Sequence, residues 1–410
     1  MQRGRIQALI IAATLTACSA GPAKLGAASR DRPFTTTKLA TFNEPFALVF
    51  LGDGSALVTE KAGHLKYWRA GQAPTEVEGV PTVKAGGQGG LLDVALSPGF
   101  ASDHLVYLTY SEPSANGGNA LALARGALAS TSGQLRLEGV RLLWHDSQGG
   151  NGGQFGGVIA FAPDGRSLFM SSGERQRFTP AQDPNQPLGK ILHLTPGGQP
   201  APGNPWASKT GAPHTTVIDP PQNTDAALNV RGRPFAWPGA NRTPAETWST
   251  GHRNPYGLAF DADGRLWESE MGPKGGDELN LIKPGLNYGW PKVSNGSNYD
   301  GSYIPPHQPG DGYEPPRAWW NPSISPAGLM IYSGEKWPHW KGDAFLPALS
   351  GQALIRVHLS GDAATKSDQW DMGTRIRAVA QDAAGNIYLL EDGAGARLLR
   401  LDPAPAQRRR

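Results

Sequence analysis

The stretch GHRNPYGLAFDADGRLWESEMGPKGGDELNLIKPGLNYGWP, residues 251–291, holds the reading that decides the fold. Leu258 and Phe260 alternate along one strand, Asp263-Gly264 supplies a tight turn, and Leu266 opens a second strand. This is the pattern of an antiparallel hairpin. A hairpin has no need of Arg253, Asn254, Asp277 or Glu278. Charged and amide groups crowded among glycine-rich turns mark a site built on loops at the end of a sheet. The plainer reading is that Arg253 and Asp277 pair only to brace those loops.

The same strand-turn-strand pattern recurs along the chain. It is read at 46–68, 91–111, 156–174 and 256–272, more loosely at 325–349, and again at 376–401. Each copy carries a turn glycine that tolerates positive φ. A hairpin of this size cannot bury both faces alone, so neighbouring copies must pack around an axis. Six copies predict an all-β fold, a six-bladed β-propeller of four-stranded antiparallel blades. The N-terminal strand is expected to complete the last blade, because closure removes a long exposed edge. No stretch sustains a helical period, and residues 36–405 read as one domain with loop insertions near 196–250 and 292–324. Insertions on a propeller gather on one face and form its binding mouth.

Bulk properties agree. Gly at 54 and Pro at 36 of 410 residues imply many turns, while 39% hydrophobic residues supply a core. The formal charge of +3, with no basic cluster before Arg408–Arg410, argues against a nucleic-acid surface. Arg3 and Arg5 precede an apolar run from Ala8 to Leu15, which is too short for a permanent span and fits a secretory signal. Leu15-Thr16-Ala17-Cys18 resembles a bacterial lipobox. It predicts a signal peptide over 1–18, lipidation of Cys18, a flexible tether over 19–35, and a periplasmic or outer-membrane-anchored lipoprotein touching the membrane through the lipid alone. Cys18 is the chain's one cysteine, so no internal disulfide can form.

The polar residues near strand ends are Gln88, Asn151–Gln154, Arg253 and Asn254, Gly272–Glu278, and Arg375 with Arg377. Each holds a similar place relative to its hairpin, so a propeller brings them to one end of its channel. Arg375 and Arg377 flank Ile376 and should face the same way. Cations opposed to carboxylates and main-chain carbonyls suit a planar polyanion with a hard metal such as Ca²⁺.

Here the chain resembles the soluble quinoprotein glucose/sorbosone (aldose sugar) dehydrogenases, which use pyrroloquinoline quinone (PQQ). The resemblance spans nearly the whole chain after residue 35. It rests on GGQGGLLDVALSPGF, GERQRFTPAQDPNQPLGK, GHRNPYGLAF, SEMGPKGGDELNLIKPGLNYGWP and TRIRAV. It implies oxidation of a sugar or related alcohol or aldehyde: a His takes the hydroxyl proton while hydride passes to the quinone, with Ca²⁺ and an Arg stabilising the developing charge. A further electron acceptor then reoxidises the cofactor.

By motif, Gln88 falls at the glutamine of the substrate pocket, and Arg253-Asn254 at the pair touching the quinone. The carbonyls of Gly272 and Pro273 fall at the Ca²⁺ ligands, Arg375 and Arg377 at the arginines for the PQQ carboxylates, and Asp277 at an acidic residue near the pocket. Tyr288 lies where a carbonyl helps hold a second, structural Ca²⁺.

Three positions depart from that pattern. Gln154 stands where the His base is expected, and a carboxamide is no base near neutral pH. Ser350 replaces a cofactor-binding Lys, and Met271 replaces a polar residue. His145 or Asp146 are the other candidates for the base, whereas His252 should face away from Arg253. Gln154 and Ser350 also admit a noncatalytic propeller that binds a carbohydrate or protein at the cell surface. A metal-dependent lactonase would want a more carboxylate-rich centre.

Overall fold

The computed structural model describes residues 28–114, 117–218 and 231–404. The signal segment, Cys18 and Arg408–Arg410 lie outside them. Six four-stranded antiparallel sheets are arranged as blades, and each expected hairpin falls in a separate blade. The fourth blade shows how the sequence builds one. Its inner strand Pro255–Phe260 turns through Asp261–Arg265 into Leu266–Glu270, followed by Asp277–Ile282 and Ala318–Trp320 at the rim. The turn closes because Asp261 accepts the main-chain N–H groups of Asp263 and Arg265, and Gly264 takes a φ of +79°.

The inner strands of all blades surround an axial channel of about 350 Å³ lined by Ala47, Val94, Ile159, Leu258, Leu329 and Val379, one from each blade. Around it the blades press hydrophobic faces together. Leu92, Leu121, Tyr107 and Met170 pack in one cluster, Trp267, Leu346 and Ile355 in another. Closure is as expected: Phe34–Phe42 pairs antiparallel with Ala396–Pro403 and completes the sixth blade. That strand begins inside the span read as a tether. Phe34 is buried edge-on against Trp340 and Trp370, so the ordered chain starts earlier than its small polar composition indicated. Part of the 196–250 insertion forms its own hairpin, His214–Val217 with Arg233–Ala236.

One feature of the blades positions the site. In five of them the inner strand slips register at the same end, near Pro45, Leu91, Gly156, Pro255 and Ile376. A bulge bends the strand and re-aims its side chains. Gln88, Gln154 and Arg253 each lead into one of these bulged strand ends, and Arg377 sits within the irregularity of the sixth blade.

Candidate active site

At this end of the channel, its mouth, lies a cavity of about 360 Å³, lined among others by Gln88, Tyr256, Tyr299, Arg375, Arg377 and Lys61. Arg375 and Arg377 do face the same way. Arg375 Nε donates to Asp392 Oδ2 at 2.7 Å, and Arg377 donates to Asp392 Oδ1 through Nε at 3.0 Å and Nη2 at 2.9 Å. Burial raises the Asp392 carboxyl, but the charge of Arg377 and the bonds from both arginines outweigh it and hold the group below the ordinary carboxylate range. Lys61 adds a third cation, its Nζ donating to the Gly87 carbonyl at 2.9 Å. Sequence reading overlooked both Lys61 and Asp392. Ser350, at the position of the absent Lys, bonds to Ser325 Oγ at 2.8 Å beside the cavity.

Across the mouth, the third and fourth blades meet through Gln154. Its main-chain N–H donates to Gln88 Oε1 at 2.7 Å. Its side-chain oxygen accepts from Arg253 Nη2 at 2.8 Å, and its side-chain nitrogen donates to Glu174. Gln154 is thus a buried link between a carboxylate and a guanidinium. Glu174 is held from behind by the N–H of Arg177, 2.5 Å away, and by that of Phe178. Burial pushes its carboxyl up to about 7, against the downward pull of Arg253.

A group raised in this way contributes stability below its unfolded value, near 4.5, and loses that contribution as pH rises through about 7. Urea unfolding at pH 5 and pH 8 should therefore show that Glu174→Gln narrows the wild-type difference between the two. An unchanged difference would count against the assignment.

Two buried arginines fix this loop. Arg175 Nη2 donates to Asn119 Oδ1 at 2.7 Å and to the Gly152 carbonyl at 3.0 Å, and its guanidinium covers the Phe155 ring at 3.8 Å. Arg177 Nη2 donates to the Gly149 carbonyl at 2.5 Å. None of Glu174, Arg175 and Arg177 was assigned a role from sequence. Gly-Glu-Arg-Gln-Arg beside a glycine-rich loop was the available signal. The alternative bases are not at the site. His145 pairs outward with Glu112 at 2.6 Å, and Asp146 is buried 4.0 Å from Arg175. His252 faces away as its place next to Arg253 requires, bonded to Ser249 at 2.8 Å and stacked on Tyr288.

Arg253 and Asp277 meet at Gly272 rather than at each other. Arg253 Nη1 donates to the carbonyls of Gly272 at 2.6 Å and Met271 at 3.1 Å. Asp277 accepts the Gly272 N–H at 2.9 Å, then Ser323 Oγ, Ile324 N and Ser325 N at 2.6, 2.6 and 2.7 Å. The sequence puts Asp277 near the pocket among the catalytic candidates; the fold sets it beside the Gly-Pro corner and commits its carboxylate to structural bonds. Asp277 is a buried clamp with both oxygens occupied, joining the Gly-Pro corner to the loop under Ser350. Removing it strands several donors at about 1–3 kcal/mol each when buried. Asp277→Ala should therefore lower unfolding free energy by at least about 3 kcal/mol in urea, and a loss below about 1 kcal/mol would contradict the clamp.

Asn254 ties the blades: its Nδ2 lies 3.7 Å from Met271 Sδ and its Oδ1 accepts Gly156 N–H at 3.4 Å. The Tyr288 hydroxyl donates to the Leu281 carbonyl at 2.6 Å, and the residue lines a second, narrow cavity together with Glu278.

Arginines, a lysine and a carboxamide–guanidinium link are thus gathered toward one end of the channel of a six-bladed propeller. The chain belongs to the glucose/sorbosone dehydrogenase family, whose model matches residues 42–217 and 226–400. It is 34% identical over 371 residues to aldose sugar dehydrogenase YliI of Escherichia coli, covering 88% of this chain and 90% of that protein. Among solved structures it is similar to the apo-form of soluble aldose sugar dehydrogenase from E. coli, at 33% identity and a TM-score of 0.78, covering 90% of this chain and all (100%) of the other. The PQQ-bound form of the aldose sugar dehydrogenase from Streptomyces coelicolor is 30% identical with a TM-score of 0.66, over 92% and 99% of the two chains.

Proposed function

We propose that the chain is a PQQ- and Ca²⁺-dependent dehydrogenase oxidising sugars or related alcohols and aldehydes, exported and anchored through Cys18 to the outer membrane. The observation that carries this reading is the cavity lined by Arg375, Arg377, Lys61 and Gln88, with Gln88 bonded in turn to the buried Gln154–Arg253 link. PQQ is a planar polycarboxylate, and bound there it would supply the electrophilic quinone that accepts hydride.

The residues present fit such a ligand. Arg375, Arg377 and Lys61 offer charge-assisted donors for its carboxylates. Arg253, already aimed at the Gly272 carbonyl, brings a guanidinium to stabilise charge developing on a quinone oxygen. Gly272 and Pro273 offer buried main-chain oxygens, the hard ligand type that Ca²⁺ takes. A carbonyl has two lone pairs, so that of Gly272 can accept Arg253 and still face a cation.

For the sugar, Gln88 Oε1 is engaged by Gln154 N and approached by the Tyr256 hydroxyl at 3.4 Å, which leaves the Gln88 amide N–H groups to donate to a hydroxyl. Gln154 cannot take a proton. The nearest group behind it that titrates near neutrality is the Glu174 carboxylate. Gln154 is also the observation favouring the second reading, a propeller that binds ligand without turning it over. Titrating the apo-protein with PQQ, with and without Ca²⁺, and following the quinone absorbance tests the binding half directly. Saturable, Ca²⁺-strengthened binding is expected, and no binding in either condition overturns the proposal.

A further inference from the structure

Between the outer strands of the second and third blades lies a cavity that the dehydrogenase reading does not use. It measures about 290 Å³, close to the lower limit of roughly 300 Å³ for small-molecule pockets. Trp144 enters it from Gln134–His145, the outer strand of the second blade. Gln199, Trp237, Arg242 and Glu246 enter from the 196–250 insertion, which runs into the outer strand of the third blade at Thr247. No lining residue is shared with the mouth cavity of Arg375 and Arg377.

The protein itself orients the polar groups. Glu246 is buried to 7% exposure, and its Oε2 accepts the Trp144 indole N–H at 2.9 Å. Its other oxygen takes no hydrogen bond among the described residues and stays open to the cavity. Burial pushes this carboxyl up, against the Trp144 bond and the charge of Arg242. A donor reaching the open oxygen would offset that desolvation. Arg242 Nη1 donates to Gln199 Oε1, which leaves the Gln199 amide N–H groups as donors. Trp237 adds an aromatic wall, held edge-on to Phe235 at 5.3 Å and through its main-chain N–H to the Pro213 carbonyl at 3.0 Å.

An open acceptor, amide donors and two indoles call for a ligand that both gives and takes hydrogen bonds and has an apolar side. Hydroxyl groups do both, and the C–H face of a sugar ring packs against an indole as other apolar surface does. A free anion would meet Glu246 and a free cation would meet Arg242, so a neutral ligand fits best. We infer that this cavity is a second carbohydrate site, binding one neutral sugar unit through the Glu246 carboxylate, the Gln199 amide and the Trp237 indole. It goes beyond the dehydrogenase reading and does not depend on it, since none of its residues lines the mouth.

The test follows the indole N–H resonances of the full chain, without PQQ, during titration with glucose, maltose and cellobiose. Trp144→Phe and Trp237→Phe identify the two reporting peaks, and both should move saturably with at least one of the sugars. Glu246→Gln keeps an oxygen for the Trp144 N–H but loses the open carboxylate acceptor. It should weaken that sugar about 10- to 150-fold, the usual weight of a hydrogen bond to a charged group. Gln88→Ala, at the mouth, should leave the shifts unchanged, which separates this site from the substrate pocket and its fate from that of the dehydrogenase reading. Peaks that stay still with all three sugars, shifts lost in Gln88→Ala, or a Glu246→Gln affinity within about threefold of wild type overturn the proposal. Should Glu246→Gln fail to fold, Trp237→Ala decides through the Trp144 peak: affinity lowered by more than about threefold supports the site, and a smaller change removes it.

Discussion

Gln154→His is expected to raise sugar-dependent dye reduction by the PQQ- and Ca²⁺-loaded protein about 10²–10⁴-fold, the usual contribution of a placed general base. The surroundings favour this substitution. Gln154 has a φ of 55°, and His is among the residues that enter the left-handed region more readily than most. Glu174, which now accepts from the Gln154 amide, can accept from one nitrogen of the introduced imidazole and leave the other to take a proton. A carboxylate behind an imidazole fixes its tautomer and stabilises the imidazolium that forms. Glu174→Gln in the same background should then cancel much of the gain. The pH profile of kcat/KM should acquire a limb near the histidine range, about 6.5. A variant that binds PQQ as the wild type does but shows no rate increase would mean that the proton leaves by another route.

The second large effect concerns the cofactor's carboxylates. Arg377→Ala is expected to weaken PQQ binding about 10- to 150-fold, since a hydrogen bond to a charged group contributes about 1.5–3 kcal/mol. Arg377 is the more buried of the two arginines and gives two bonds to Asp392. Asp392 is ionised and occupies both arginines, so it competes with an incoming carboxylate. Asp392→Asn should therefore bind PQQ at least as tightly as the wild type, although it breaks the same ion pairs. The opposite signs separate anion binding from a structural role: if both variants weaken PQQ equally, the cluster only holds the sixth blade together. Quinone absorbance titrations of the three proteins give the comparison.

The blades were legible because each turn has a local cause. Asp261 and Gly264 close their turn through bonds within five residues, and the alternation of Leu258 and Phe260 follows from the pleat. Same-facing Arg375 and Arg377 were legible for the same reason. What was missed depends on contacts distant in sequence. Glu174 acquires its meaning from Gln154 and Arg253, and Arg175 and Arg177 from carbonyls in the 149–152 loop. Nothing local marks those pairings. Asp277 was assigned to the pocket with the residues around it, yet adjacent strand residues point to opposite faces. Glu278 turns to Asn280 and Asp277 to Gly272 and Ser325.

If this channel mouth oxidises sugars with PQQ, as proposed, the loaded protein must pass electrons from sugar to a dye. Reconstituting the apo-protein with PQQ and Ca²⁺ and measuring dye reduction across a panel of aldoses tests it most directly. The predicted result is slow, sugar-dependent reduction that requires PQQ and disappears in Arg253→Ala. PQQ-loaded wild-type protein that reduces no dye with any sugar, and still reduces none once Gln154 is replaced by His, would contradict it.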